Sequence, residues 1–315
     1  MEENAKMSGG IFSDIEAWET DSKDGLANKL ARDEGRDTWE IEMTGGPISE
    51  NESALDYTYQ NLVDDYWPAV VGAVQYYTGK ITMDYVGHSN GCRVALSSLK
   101  SYQTTGKSNV AIVQNLQTGN NVNVNLQGGV GAPVVNTFVG VACPGELNDG
   151  TLLSLISRTL IINHVPPGLA GNLAMDRINQ PHILMRDYTN SLSIVGILEP
   201  GILPDIAILA SFFPRGDKLS RNVMDFYNDL STEANSNFSL SGLNITKLRL
   251  HYGRALAIGG SDGVVPTEDM DVILNQANGQ NWDGQTYTSL NPLSVNHISI
   301  KNREDLKNHI LEELR

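Results

Sequence analysis

A single serine stands at the centre of the stretch of this sequence that is best suited to chemistry. Ser89 lies in Gly87-His88-Ser89-Asn90-Gly91, between a strand-like run over residues 81–86 and a helix-like run over residues 92–99. Glycines on both sides allow a strand and a helix to meet at a sharp, strained turn. Such a turn would raise the Ser89 hydroxyl to the end of a sheet, at the positive end of the next helix. The pattern predicts a serine nucleophile, and its plainer interpretation is a glycine-rich strand-to-helix turn.

A serine hydroxyl becomes a good nucleophile only when an imidazole takes its proton and a carboxylate orients that imidazole. Where a G-x-S-x-G turn carries the nucleophile, the acid and then the base follow it along the chain. Two of the six histidines, His297 and His309, lie beyond the candidate carboxylates near the end of the core. His309 falls within the predicted C-terminal helix, where a surface role is expected, so His297 in the preceding loop is the predicted base. The other four are expected to be ordinary histidines, the first of them pointing away from Ser89: His88, His164, His182 and His251.

Asp262 is the predicted acid. It follows a strand candidate over residues 254–258 and lies in the turn Gly259-Gly260-Ser261-Asp262-Gly263, where a side chain can be presented at the end of a sheet. An Asp-Gly pair also forms turns anywhere in a protein, but Asp262 lies between Ser89 and His297 in the expected order. Asp149, after the preceding strand, is the reserve candidate.

A tetrahedral intermediate at such a serine would carry an oxyanion, which needs two fixed N–H donors. The residue after the nucleophile supplies one of them, so the backbone of Asn90 is the first predicted donor. The second donor is expected from the first strand-to-helix loop, with the Ile11 amide preferred and Phe12 next.

These segments together resemble the lipase and carboxylesterase branch of the α/β-hydrolases. The resemblance implies that Ser89, Asp262 and His297 are nucleophile, acid and base, and that carboxylic esters are hydrolysed through an acyl-enzyme with no obligatory cofactor. Gly9-Gly10 stands where the family usually has His-Gly. The matching segments span nearly the whole chain in the family's order: Gly10-Ile11-Phe12-Ser13-Asp14, Gly87-His88-Ser89-Asn90-Gly91, Val141-Ala142-Cys143-Pro144, Ser261-Asp262-Gly263-Val264-Val265-Pro266 and Asn296-His297.

Strands and helices alternate around these residues, which predicts a mostly parallel sheet with helices on both faces. Pro68 interrupts the second helical pattern and is expected to kink it. Asn302 is expected to cap the last helix. The expected helices cover residues 22–34, 52–77 and 303–314, and the expected strands cover residues 39–43, 81–86, 137–144, 254–258 and 285–290.

The predicted fold class is therefore α/β, with the α/β-hydrolase fold and two additions. Residues 104–129 are expected to add a β-hairpin, because two β-branched runs flank Thr118-Gly119-Asn120-Asn121. Residues 150–245 break the alternation and are expected to form a mainly helical cap or lid, which leaves 1–149 and 246–315 as the core. The apolar segment 191–213 either lines an acyl pocket or is the buried side of ordinary helices.

The charge and hydrophobicity of the sequence limit the kinds of molecule that the protein is expected to bind. The net charge is −15, from 37 acidic and 22 basic residues, which argues against nucleic-acid or anionic-membrane partners. No apolar run is long enough for stable membrane insertion, and the first residues do not read as a signal peptide. Localisation therefore stays open between the cytoplasm and secretion with the signal removed.

Neither the two cysteines nor the residue types that bind metals indicate a further catalytic group. Cys92 and Cys143 are expected to be buried free thiols, although a bridge between them is conceivable. No H-E-x-x-H motif or Cys/His cluster indicates a catalytic metal, and a structural calcium ion near the Asp-rich loops is left open.

The favoured function is a serine esterase or lipase that acts on a small-molecule or lipid ester, with medium- to long-chain acyl groups preferred. A thioesterase, an amidase or a polyester hydrolase would use the same three residues. The alternative from another class is a non-catalytic protein of this fold that binds an apolar ligand. The oligomeric state is left open.

Overall fold

Among the residues that the structure describes, six parallel strands form the central sheet. The computed structural model describes residues 5–8, 18, 25–41, 59–105, 110–127, 133–145, 239–255, 262, 265, 267–276, 280–290, 295 and 299–315. Numbered along the chain, the strands are β1 (Ala5–Ser8), β2 (Thr38–Ile41), β3 (Met83–His88), β4 (Val110–Gln114), β5 (Asn121–Asn125), β6 (Val135–Val141), β7 (Lys247–Ala255) and β8 (Asn281–Ser289). The sheet has the order β2-β1-β3-β6-β7-β8, and all its neighbouring strands run parallel.

The order of the strands reverses at β1, which has β2 on one side and β3 on the other. In open parallel sheets, ligands bind at such a switch point, outside the carboxyl ends of the strands. The segments that follow β1 and β3 therefore flank the place where this fold class usually carries its site.

Helices cover both faces of the sheet, as the alternation of elements predicts. Pro68 lies within a helical run that is continuous from Tyr59 to Thr78, directly after the π-helical turn Leu62–Tyr66, so it does not end the helix, and the expected kink stays a prediction. The helices are α1 (Leu26–Asn28, continued by the π-helical Lys29–Asp33), α2 (Tyr59–Asn61, continued by the π-helical Leu62–Tyr66), α3 (Trp67–Thr78), α4 (Asn90–Thr105), α5 (Glu268–Leu274) and α6 (Glu304–Glu313).

Alternate residues of the strands enter two hydrophobic clusters, one on each face. Tyr85 of β3 and Phe138 of β6 pack with α2, α3, α4 and α5 on one side. Val86 and Val139, their neighbours along the strands, pack with α1 and α6 on the other. Residues 239–245, which the sequence boundaries assign to the cap, contribute buried apolar side chains to the first cluster: Leu240, Leu243 and Ile245.

The two strands of the expected hairpin pair antiparallel and lie on α3. Ala111 and Val113 of β4 are buried, and a Cβ atom at Gly72 of α3 would lie only 2.7 Å from the Ala111 Cβ. The absence of a side chain at Gly72 therefore lets the hairpin approach the helix closely. β5 lies farther out, because its inward valines, Val122 and Val124, are only half-buried.

Three expectations from the sequence are wrong. Cys92 and Cys143 are not free thiols but form a disulfide with a Cα–Cα distance of 5.4 Å. The strand expected over 254–258 begins at Lys247, because Leu248, Leu250 and Tyr252 face the core between polar residues that concealed the pattern. Asn302 does not cap α6, whose first turn is preceded by Arg303 without a side-chain cap.

Candidate active site

Ser89 occupies a sharp turn between β3 and α4. It is one of two non-glycine residues in the described part of the chain with a positive φ, at 52°. Its N–H donates to the Val141 carbonyl oxygen at 2.8 Å, and its own carbonyl accepts from the N–H groups of Cys92 and Arg93. These bonds hold the serine in a left-handed conformation that L-residues otherwise avoid.

Gly87 is needed for the close approach of strand and helix. A Cβ atom at this position would lie 2.8 Å from the backbone nitrogen and from the Cα of Cys92. Those contacts are with backbone atoms, which cannot move without displacing the start of α4. The first glycine of the G-x-S-x-G pattern is therefore explained by sterics in this chain.

Asn90, the first residue of α4, is 2% exposed. Its backbone N–H is one of the free amides in the first turn of a helix, where the helix dipole also favours negative charge. This is the position that the sequence predicts for one oxyanion donor. Ile11 and Phe12, the candidates for the other donor, lie outside the described residues.

Asp262 is buried beyond the C-terminal end of β7. It is 1% exposed, and its Oδ1 accepts a hydrogen bond of 2.7 Å from the Val265 N–H. This bond fixes the position of one carboxylate oxygen. Asp149, the reserve acid, lies outside the described residues.

Gly253 on β7 brings the acid turn and the segment before His297 together. A Cβ atom at Gly253 would overlap the carbonyl oxygen of Val295 and would lie 3.1 Å from the Cβ of Asp262. Asp262 and Val295 therefore pack against the same point of the strand. His297 itself lies outside the described residues, but it follows Val295 by two positions. The glycine signal at 253 was not recognised in the sequence, because the surrounding strand was assigned too late.

Three elements hold the loop that follows β6. The disulfide joins Cys143 to Cys92 in the first turn of α4, and a Cβ at Gly140 would lie 2.6 Å from the Cys92 sulfur. The Asp269 carboxylate of α5 accepts from the Gly145 N–H at 2.7 Å. The Tyr252 hydroxyl of β7 donates to the Cys143 carbonyl oxygen. The loop beside Ser89 is therefore anchored from α4, α5 and β7.

Tyr252 stays a neutral hydrogen-bond donor in this environment. Burial raises its pKa well above the ordinary value, and the carboxylates of Asp269 and Asp262 act in the same direction. The fully buried Arg93 guanidinium opposes them. The anchoring bond to Cys143 therefore does not depend on pH in the physiological range.

Two of the histidines that precede the predicted base, His88 and His251, have structural contacts, while His164 and His182 lie outside the described residues. His88 is 3% exposed and meets Trp18 edge-on, with ring centroids 6.4 Å apart. The Nδ1 of His251 lies 3.2 Å from the Tyr287 hydroxyl, which is also 2.7 Å from Nδ1 of His309. Burial lowers the pKa of His251 to about 4. His309 was expected at the surface, yet it is half-buried in this contact.

Solved structures of similar architecture cover nearly the whole chain. A thermophilic esterase from Thermogutta terrifontis superposes with a TM-score of 0.54 at 12% sequence identity, over 99% of this chain and 89% of its own. An alpha/beta hydrolase fold protein from Burkholderia ambifaria gives 0.51 at 12% identity, over 99% of this chain and 91% of its own. The chain has the α/β-hydrolase fold. The turn at Ser89 is thus the strand-to-helix turn of an α/β-hydrolase sheet. No protein-family model and no curated sequence matches the chain.

Two further kinds of feature were searched for in the part that the structure describes, metal-binding clusters and membrane-spanning helices. No group of three or more His, Cys, Asp or Glu side chains among these residues could hold a metal ion. A search of the same residues finds no helix with the length and apolar character of a membrane span.

Proposed function

We propose that the protein is a serine hydrolase that cleaves carboxylic esters. Ser89 is the nucleophile, His297 the general base and Asp262 the acid that orients the imidazole. The observation that carries the proposal is the strained turn at Ser89, held at the sheet switch point, together with the meeting of Asp262 and Val295 at Gly253. A fixed serine and a buried carboxylate beside the segment of the base are what acyl transfer requires.

The reaction proceeds in two steps through an acyl-enzyme. The imidazole of His297 accepts the Ser89 proton while the hydroxyl oxygen attacks the ester carbonyl carbon, and the N–H groups of Asn90 and Ile11 bind the resulting oxyanion. The intermediate collapses when His297 returns the proton to the leaving alcohol. A water molecule, deprotonated by the same imidazole, then attacks the acyl carbon. The bond from that carbon to the Ser89 oxygen breaks, His297 returns the proton to Ser89, and the carboxylic acid leaves.

The class of ester is a finer part of the proposal. One of the structures of similar fold is an esterase, and the apolar segment 191–213, outside the described residues, supports medium- or long-chain acyl groups. Thioesters, amides and polyesters remain substrates that the same residues could attack. A series of p-nitrophenyl esters of increasing acyl length, run beside the matched thioesters and amides, separates these substrates.

A fluorophosphonate probe tests the mechanism directly, because it phosphonylates only an activated serine. We expect the wild-type protein to be labelled at Ser89, and the Ser89→Ala variant to be unlabelled and to lose ester hydrolysis by several orders of magnitude. Ser101→Ala, which removes a hydroxyl farther along α4, is the matched control and should keep both the labelling and the ester hydrolysis.

Absence of labelling in the folded wild-type protein would instead favour the non-catalytic reading, in which the fold only binds an apolar ligand. Labelling that persists in Ser89→Ala would refute the assignment of the nucleophile but not the activity.

A further inference from the structure

The outer strand of the hairpin, β5, has an edge that pairs with no other strand in the described part of the chain. The N–H of Asn115 donates to the Asn120 carbonyl at 2.8 Å and so closes the hairpin. Counting outwards from this pair, every second residue of β5 turns its backbone N–H and C=O away from β4. These residues, which we call the β5 edge, are Asn121, Asn123 and Asn125.

Within the described residues, the β5 edge lacks the usual protection against strand pairing. Natural proteins commonly place a charge, a proline or a bulge on a free edge. β5 contains neither a charge nor a proline, and its register with β4 is regular. Between Lys107 and Glu146 there is no Asp, Glu, Lys or Arg, in a chain whose net charge is −15. This uncharged stretch is where a second acidic molecule can approach with the least repulsion.

The side chains of β5 alternate between exposed asparagines and half-buried valines. The three asparagines of the β5 edge are exposed on the outer face of the hairpin. Val122 and Val124, on the face towards α3, keep part of their apolar surface in contact with water. A strand added beside β5 would cover these valines and would satisfy the outward backbone groups.

We propose that β5 is a dimerisation edge, at which two copies of the chain pair antiparallel with the two-fold axis at Asn123. In this register Asn121 lies opposite Asn125 of the partner subunit, and Val122 lies opposite Val124 of the partner subunit. Asparagine thus meets asparagine on one face, and valine meets valine on the other. The five-residue strand is complementary to itself, which an isologous two-fold interface requires.

The pairing joins two hairpins into one four-stranded sheet. Each of the three outward pairs can exchange two N–H···O=C bonds across the axis. Two-stranded hairpins are marginal by themselves, and further strands stabilise them. A strand from a different protein could also pair with this edge, but β5 has no feature that selects a particular foreign sequence. A second copy of β5, in contrast, places a matching residue opposite each of its five positions.

A single introduced cysteine tests the register. The two native cysteines are joined to each other and buried, so a new thiol is the only reactive one in the described residues. Asn123→Cys places two thiols across the axis, where the Cα atoms of an antiparallel pair are about 5.5 Å apart, within disulfide range. We expect a covalent dimer on mild oxidation. Gln117→Cys, exposed at the hairpin turn, is the matched control and should stay monomeric on a non-reducing gel.

The equilibrium between monomer and dimer, measured without crosslinking, tests the interface independently. Light scattering after size exclusion should find a dimer for the wild type, and Asn123→Lys should weaken it by about tenfold or more, because two ammonium groups would face each other. Ile112→Lys is the control and should leave the dimer unchanged. Ile112 lies opposite Asn123 on the same exposed face, but on β4, which is not at the proposed interface.

Two results would overturn the proposal: a wild-type monomer at micromolar concentration, or a dimer that survives Asn123→Lys unchanged. Equal crosslinking of the two cysteine variants would contradict the register and the two-fold axis at Asn123. Ester hydrolysis by all these variants is expected to equal that of the wild type, so failure of the dimer is distinguishable from failure of the proposed activity.

Discussion

At the scale of single residues, the candidate site depends on positions where the backbone conformation or the close approach of another segment restricts the residue type. The left-handed conformation of Ser89 costs a non-glycine residue about 1–2 kcal/mol, and bonds to Val141, Cys92 and Arg93 maintain it. Strain that the surroundings maintain is typical of functional positions. Gly87 and Gly253 act in the complementary way, because each leaves room for a backbone segment that a side chain would displace.

Gly253→Ala should damage catalysis far more than folding. The added methyl would overlap the Val295 carbonyl and so shift the segment that leads to His297. A displacement of about 1 Å at a reacting group can cost about 10²-fold in rate, and we expect that loss in kcat/KM for a p-nitrophenyl ester. The free energy of unfolding should fall by only about 1–3 kcal/mol.

Gly284→Ala on the neighbouring β8 is the matched control for this substitution. Its added methyl would meet the side chains of Met270 and Leu274, which can move, and not a backbone atom. Activity that is unchanged in Gly253→Ala, or equally reduced in both variants, would argue against the placement of the base beside Val295.

At the scale of elements, the loop after β6 is the junction of the site. Ala142, the second non-glycine residue with a positive φ among the described residues, follows β6 as Ser89 follows β3. Its N–H donates to the His251 carbonyl, just as the Ser89 N–H donates to Val141. The chain therefore turns in the same strained way at two neighbouring strand ends, and the disulfide links the two turns.

Removal of the disulfide should destabilise the whole domain. Cys92 and Cys143 are 51 residues apart in sequence, and closing a loop of that length corresponds to about 4 kcal/mol in the chain-entropy account. We expect the double variant Cys92→Ala/Cys143→Ala to lose a large part of that free energy in denaturant titrations. The starting point of α4 would also loosen, so ester hydrolysis should fall.

Adding a reductant to the folded wild type serves as the control for this variant. Both cysteines are fully buried, so the folded protein should resist reduction until unfolding exposes the bridge. A double variant with wild-type stability and activity would contradict the anchoring role.

At the scale of the whole molecule, a buried polar contact connects the sheet to its C-terminal helix. Tyr287 of β8 lies between His251 of β7 and His309 of α6. Arg303 stacks over the Tyr287 ring at 5.5 Å, and it also pairs with Asp305. The contact therefore joins two strands and the closing helix, and its protonation state affects the stability of the whole fold.

Stability should fall between pH 6.5 and pH 4 because of His251. Its pKa is lowered to about 4 in the folded protein, mainly by burial, while the unfolded chain binds the proton near 6.5. Below pH 6.5 the unfolded state binds a proton at His251 and the folded state does not. The contribution of His251 to the free energy of unfolding is therefore complete above pH 6.5 and is lost as the pH falls towards 4. It amounts to about 3 kcal/mol.

The measurement compares the free energy of unfolding at pH 7 and pH 4 in the wild type and in His251→Gln. The amide of glutamine can donate to or accept from the Tyr287 hydroxyl but does not titrate. The carboxylates common to both proteins therefore cancel in the comparison. The wild type should lose about 3 kcal/mol more than the variant. An equal loss in both would show that His251 is accessible to protons in the folded state.

What the sequence alone determined was local. The glycine spacing around Ser89, the alternation of strands and helices, and the turn residues of the hairpin all act within a few positions, where steric rules apply directly. These patterns were sufficient for the fold class, for the strained turn at Ser89 and for the hairpin. The roles of His297 and Ile11 stay predictions from the sequence, because both residues lie outside the described part of the chain.

The tertiary structure alone decided which distant groups meet. The disulfide, the loop bonds of Tyr252 and Asp269, and the shared contact of Asp262 and Val295 with Gly253 join residues from separate elements. The early start of β7 was also hidden, because Lys247 and Arg249 alternate with apolar residues there, and their charges are paired with Glu313 of α6 only in the folded chain. Such contacts depend on how strands are ordered across the sheet, and nothing in a local pattern specifies that order.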